Sequence, residues 1–219
     1  MTLKGRAIGM VKATHFGPTV LVVSISFTLA ITQLSFGKSV GVALAILAGQ
    51  CVVGWTNELV DHGRDTEAGR SKKPLVNGSV TRNQLQVGIA TALTAAVLLS
   101  FFGPLGTKGG WLHMLGLGSA TAYNFWAKST WISPLPYAIS FGALPWAIYS
   151  AAHKSPAPWL YMDFALVSVA FHFLNVIKDL EWDRTQGVIG LPQRFGKSRS
   201  VSVAVGLLAI SVPIFFFVR

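Results

Sequence analysis

The sequence predicts an all-α, polytopic transmembrane helical bundle, and three observations carry that prediction. Of 219 residues, 52% are apolar and 12% charged; the apolar residues run in long blocks; and the basic residues concentrate in alternate loops. A soluble domain carries about a quarter charged residues, so this composition leaves too little charge to cover a water-exposed surface. Seven blocks approach or exceed the ~20 residues that cross a bilayer. They lie at 16–36, 40–60, 83–103, 110–127, 134–152, 157–178 and 200–218. The fourth and fifth are short and broken by polar residues or proline.

The first block follows Lys4, Arg6 and Lys12, as a signal peptide would. Its apolar run exceeds the ~7–15 residues of a signal core and no clear A-x-A site follows, so a retained first span is expected. The single cysteine, Cys51, excludes an internal disulfide and reads as a small apolar filler. The net charge of +10 follows topology. With seven spans, fourteen of the eighteen lysines and arginines fall in one set of loops, and only Lys38, Lys108, Lys154 and Arg219 in the other. The positive-inside rule then makes the first set and the N-terminus cytoplasmic and the C-terminus external. Nucleic-acid binding is not needed to explain the charge.

The chain has eight Asp and Glu; six sit in two short segments, and a seventh, Glu67, lies two residues beyond the first. The first reads Asn57-Glu58-x-x-Asp61-x-x-x-Asp65, at the end of the second span. The second reads Asn175-x-x-x-Asp179-x-Glu181-x-Asp183, at the end of the sixth. A spacing of four puts Asn57, Asp61 and Asp65 on one helical face, and the same is expected of Asn175, Asp179 and Asp183. Carboxylates stacked this way repel one another unless a cation sits between them. Oxygen donors suit Mg²⁺, which typically takes one or two carboxylates together with substrate phosphates.

The two segments are copies. At a constant offset of 118 residues Asn57, Asp61, Asp65, Gly69, Pro74 and Gly78 meet Asn175, Asp179, Asp183, Gly187, Pro192 and Gly196. Six identities in 22 residues compare with about one or two expected from average usage. Both segments leave the membrane in the same direction, which predicts a parallel repeat around a central cavity. The expectation is one domain over residues 1–219, with halves at roughly 16–127 and 134–219.

These motifs resemble those of the UbiA-type intramembrane prenyltransferases over about residues 12–200. That family carries N-D-x-x-D-x-x-x-D after its second span and D-x-x-x-D after its sixth. Here Glu58 stands where the family usually has Asp. The stretch Tyr123-Asn124-Phe125-Trp126-Ala127-Lys128 is similar to the family's Tyr and Lys after span four. Lys73-Pro74-Leu75-Val76-Asn77-Gly78 is similar to its loop after the first motif. The family usually has nine transmembrane helices against the seven read here, a difference that keeps the C-terminus on the same side and bears on the lateral wall of the cavity.

The resemblance implies Mg²⁺-dependent ionisation of an isoprenoid diphosphate and capture of the allylic cation by a lipophilic or aromatic acceptor within the membrane. Asp61, Asp65, Asp179 and Asp183 would be catalytic and hold Mg²⁺, with Asn57 and Asn175 ligating it or orienting the carboxylates. Asn57, Lys73, Tyr123, Lys128, Asn175 and Arg194 would contact substrate. Arg64, Arg70, Lys72 and Arg184 are further candidates, although positive-inside charge alone explains them. Trp55, Phe125, Tyr137, Trp146 and Phe171 are aromatics suited to shielding a cation. His62 and His172 lack a partner at metal spacing and read as non-ligands. The same metal site would serve a terpene cyclase, in which the cation is captured by its own chain. A cation-coupled transporter is the alternative from another class, but transporters place their acids near the midplane. If the repeat builds one site, facing carboxylates should stand roughly 6–14 Å apart, with a diphosphate between them. The loops at 66–82 and 184–199 would lie over its mouth.

Overall fold

The computed structural model describes residues 2–217, with no account of the side chains beyond 214. The end of the seventh expected span and the external Arg219 therefore lie outside the described residues. The described residues form helices and turns and contain no strand. They pack as two compact units, Met1–Gly110 and Trp111–Arg219.

The first unit holds α1 (Leu3–Ala13), α2 (Phe16–Ile31), α3 (Phe36–Glu67) and α4 (Arg82–Phe101). The central helix α3 packs on both α2 and α4. Between α1 and α2 the chain bends by 65° at His15, which adopts the left-handed conformation (φ 58°, ψ 61°). Gly54 permits this corner to rest on α3, since a Cβ there would stand 2.5 Å from the Thr14 carbonyl oxygen. Trp55 fixes it further by donating its indole N–H to the Met10 carbonyl at 2.9 Å. The loop after α3 is anchored from inside: Leu75, Val80, Leu85 and Ala13 form a buried cluster against Met10, Trp55 and Leu59. A capping box then starts α4, in which Thr81 and Gln84 satisfy each other's backbone N–H.

The helix α5 (Gly106–Phe125) runs from the first unit into the second. There follow a 3₁₀ turn (Ala127–Ser129), α6 (Leu135–Ala151), α7 (Pro158–Val176), a second 3₁₀ turn (Ile177–Asp179), α8 (Leu180–Thr185) and α9 (Leu191–Phe217), which is interrupted at Gly196. Here α7 is central and packs on α6 and α9, around Ala170, Phe173 and Ala204. Shifted by 118, the bounds of α2 fall on α6, those of α3 on α7 with α8, and those of α4 on the last part of α9. Each unit is thus a motif-bearing helix held between the helix before it and the helix after it.

Every expected span is helical. Among the described residues four helical segments are long and apolar enough to cross a membrane, Phe36–Glu67, Arg82–Phe101, Pro158–Thr185 and Leu191–Ile214, and the bent pair α1–α2 makes a fifth if it counts as one span. The helices α5 and α6 fall outside that set. Glycine and polar residues dilute α5, and α6 has 17 residues with Pro145 inside it. The count of seven spans thus stays an expectation. Large side chains such as Leu21, Leu44, Val87, Leu98, Phe171 and Val205 are exposed, as lipid-facing residues are.

Candidate active site

The last turns of α3 carry Asn57, Glu58, Asp61 and Asp65. Asn57 Nδ2 donates to Asp61 Oδ2 at 3.0 Å, confirming that residues four apart share a face. Arg64 pairs with Asp61 one turn on. Asp65 is buried and lies 3.4 Å from Arg70 Nη1 and 3.3 Å from Lys73 Nζ. The ammonium of Lys73 also stands 3.4 Å from Glu58 Oε2. Glu58 is 2% exposed, and its other oxygen accepts the Leu75 backbone N–H at 2.9 Å. A buried carboxylate needs this much pairing to stay ionised at low cost. Its place in the sequence suggested a stand-in for an aspartate; its contacts make it the tie between helix α3 and the loop that presents Lys73.

His15, which the sequence gave no reason to single out, belongs to the same group. Its imidazole hydrogen-bonds the Asn57 side chain and lies within electrostatic reach of Lys73, Glu58 and Asp61. Burial first, and then the Lys73 ammonium, hold the ring below the ordinary histidine range. Its Nε2 is buried without a hydrogen-bond partner among the described residues. A left-handed non-glycine costs about 1–2 kcal/mol, and an unsatisfied buried nitrogen about 1–3 kcal/mol. No periodicity or spacing marks such a residue, because the signal is a backbone bend.

In the second unit, α7 does not carry its motif on one continuous face as α3 does. The 3₁₀ turn intervenes, and Asp179 sits at φ −109° and ψ 0°, in the sparsely populated bridge region. Asn175, Asp179 and Asp183 are therefore not stacked at uniform helical spacing. The adjacent β-branched Val176 and Ile177 weaken the helix where it breaks. Asp183 accepts from Gln193 Nε2 at 2.7 Å, and Arg184 Nε donates to the Gln193 carbonyl at 2.9 Å. The arginine tied to this segment is Arg184. Arg194 is exposed and donates to the Ile189 carbonyl of its own loop at 3.2 Å.

Tyr123 and Lys128 enter the second unit beside this loop. The Tyr123 ring stands edge-on to Tyr137 and His172, at 5.2 and 5.5 Å between centroids. His172 Nε2 is 3.3 Å from Ser133 Oγ, which also accepts the Leu191 N–H at 3.0 Å. Lys128 is buried, and its carbonyl oxygen would lie 2.5 Å from any Cβ at Gly190, so the 184–199 loop is seated on it. Among the suggested shielding aromatics, Tyr137 sits in this group, Trp146 packs on Tyr161, and Phe125 and Phe171 are exposed.

Both motif helices end alike. Gly69 and Gly187 have φ 62° and 71°, and Gly78 and Gly196 have φ 73° and 76°. Arg70 N–H donates to the Asp65 carbonyl at 2.9 Å and Val188 N–H to that of Asp183 at 2.8 Å. Gly69 N–H donates to Thr66 O at 3.0 Å and Gly187 N–H to Arg184 O at 3.2 Å. This is the Schellman cap, made twice at the same offset. Among the described residues no three Asp, Glu, His or Cys side chains converge as a metal cluster. The Asn and Asp oxygens of each motif nevertheless fit Mg²⁺, which takes a few carboxylates and completes its shell with phosphate and water.

A helical membrane protein with two capped, acid-bearing helix ends is the class that fold and site define. The chain belongs to the UbiA prenyltransferase family, whose model matches residues 17–219. Among solved structures it is similar to a UbiA homolog from Archaeoglobus fulgidus bound to GPP and Mg²⁺, with TM-score 0.81 and 15% identity over 96% of this chain and 77% of that one. A UbiA homolog from Aeropyrum pernix K1 gives TM-score 0.73 and 19% identity over 98% and 78%. Chloroplastic chlorophyll synthase of Avena sativa is 26% identical over 182 residues, 76% of this chain and 48% of that protein. The Oryza sativa subsp. japonica enzyme is 25% identical over 180 residues, again 76% and 48%. The chain spans about half the length of the curated relatives it matches.

Proposed function

We propose that this chain transfers a prenyl group from an isoprenoid diphosphate to a lipophilic or aromatic acceptor within the membrane, in a Mg²⁺-dependent reaction. The observation that carries the reading is the pair of identically capped, acid-bearing helix ends inside a chain of the UbiA family. Archaeoglobus fulgidus homologs were solved with GPP or DMAPP and Mg²⁺, which supports both the substrate class and the ion.

In this reading Asp61, Asp65, Asp179 and Asp183 hold Mg²⁺ against the diphosphate, and Asn57 and Asn175 ligate it or orient the carboxylates. Mg²⁺ held by these residues would supply positive charge against the charge that develops on the leaving diphosphate. Lys73, placed between Glu58 and Asp65, and Arg194 of the second loop would each offer positive charge to the diphosphate. The allylic C1–O bond breaks with its electron pair leaving on the diphosphate; an electron pair of the acceptor forms the new bond to C1, and a proton carried by the acceptor at that atom leaves to water or to the released diphosphate. Tyr123, with Tyr137 and His172 behind it, presents an aromatic face suited to the cation; Lys128 anchors the loop beside it.

The test is to incubate the purified chain with prenyl diphosphates of several lengths, Mg²⁺ and an acceptor panel that includes a chlorophyll precursor, given the chlorophyll synthase relatives. Mass spectrometry is expected to find a prenylated acceptor and released pyrophosphate. A cyclised hydrocarbon without acceptor would point to the cyclase instead.

A further inference from the structure

The geometry points to His15 as a diphosphate-binding residue whose Nε2–H donates to a phosphate oxygen, an inference that rests on the prenyl-diphosphate reading above. Three independent features converge on this side chain. Its backbone is held left-handed, a conformation that side chains rarely adopt. The corner that holds it is fixed on every side: Gly54 lets the Thr14 backbone touch α3, Trp55 bonds Met10, and Thr19 Oγ1 bonds the Thr14 carbonyl at 2.7 Å. Strain that surrounding packing maintains tends to collect at functional sites.

The second feature is the orphaned nitrogen. The ring is bound to Asn57, a residue of the first motif, while Nε2 is buried with no partner among the described residues. Buried polar atoms are normally satisfied, so an unpaired one beside an acidic motif calls for a ligand atom. The third is the setting. His15 lines a cavity of about 590 Å³ together with Lys12, Lys72, Lys73 and Glu58. Three lysines around a cavity suit a polyanion, and the imidazole N–H adds a directed donor of a kind that lysines do not supply. All of these residues lie within the first unit.

The test uses the full chain in detergent and inorganic pyrophosphate as the probe, titrated calorimetrically at fixed Mg²⁺. His15→Ala and His15→Gly are expected to bind pyrophosphate at least about tenfold more weakly than the natural chain, the worth of one hydrogen bond to a charged group. His15→Gln, which carries an amide N–H at similar reach, is expected to recover part of the loss. Because glycine relieves the left-handed strain, His15→Gly is expected to unfold at or above the natural chain's temperature, which separates lost binding from lost folding. Unchanged affinity in both His15→Ala and His15→Gly would overturn the assignment and leave the diphosphate reading intact. No pyrophosphate binding by the natural chain would overturn that reading, and His15 with it.

Discussion

Asp65 and Asp183, 118 residues apart, occupy the same place in two helix caps: each accepts at its backbone carbonyl the amide five residues on, at 2.9 and 2.8 Å. The cap fixes where the helix stops, so it also fixes how far each carboxylate projects past the last turn. A copied acid pattern alone is compatible with two unrelated helix ends. A copied cap, with left-handed glycines at both 69/187 and 78/196, means that the loops leave the helices in the same way.

Substitution of those glycines should therefore be equally costly in the two units. Gly69 and Gly187 have open space where a Cβ would go, so strain at positive φ is the main penalty. Gly69→Ala and Gly187→Ala are each expected to lose about 1–2 kcal/mol, and the Asn variants less, because Asn tolerates that region. Thermal unfolding of the four variants in detergent measures this.

Glu58 and Lys73 form the most buried ion pair of the first unit among the described residues. Glu58→Ala strands the Leu75 N–H and removes a partner of Lys73, and is expected to cost about 3 kcal/mol and expose the 70–80 loop to proteolysis. Glu58→Gln keeps an acceptor for Leu75 and should cost less. Limited proteolysis followed by fragment mass analysis distinguishes the two.

Much of this was legible in the sequence because it rests on local rules. Long apolar blocks set the helices, and the 118-residue offset picked out the glycines that prove to be left-handed. What was not legible depends on backbone detail. Nothing in the spacing of Asn175, Asp179 and Asp183 announced the 3₁₀ turn that breaks their helical face. Nothing in the sequence announced that Arg184 holds the Gln193 carbonyl of the loop that follows it. His15 and Glu58 acquire meaning only once the α1–α2 corner and the 70–80 loop fold onto α3.

If Mg²⁺ is held as proposed, Asp61→Asn, Asp65→Asn, Asp179→Asn and Asp183→Asn each remove most turnover, and excess chelator does the same. Asp163 is not a reserve ligand, since it accepts from Ser211 within the second unit. Rates measured across a Mg²⁺ titration should show a raised metal requirement in any variant that retains activity. Full turnover in chelator would exclude the mechanism.

The loop charge pattern predicts that both motifs lie on the cytoplasmic side. Single cysteines beside Asp65 and Asp183, in a chain with Cys51 replaced, are expected to react with a membrane-impermeant thiol reagent from the same side. Labelling from opposite sides would contradict the parallel repeat.

The central proposal is that diphosphate binding requires both acidic motifs, and the stoichiometry of pyrophosphate binding tests it most directly. With Mg²⁺ in excess, calorimetry on the purified full chain is expected to give one pyrophosphate per chain. Asp61→Asn alone and Asp179→Asn alone should each remove that binding, because neither motif suffices without the other. Two pyrophosphates per chain, with each single variant losing one and keeping the other, would contradict that joint requirement and leave the repeat purely architectural.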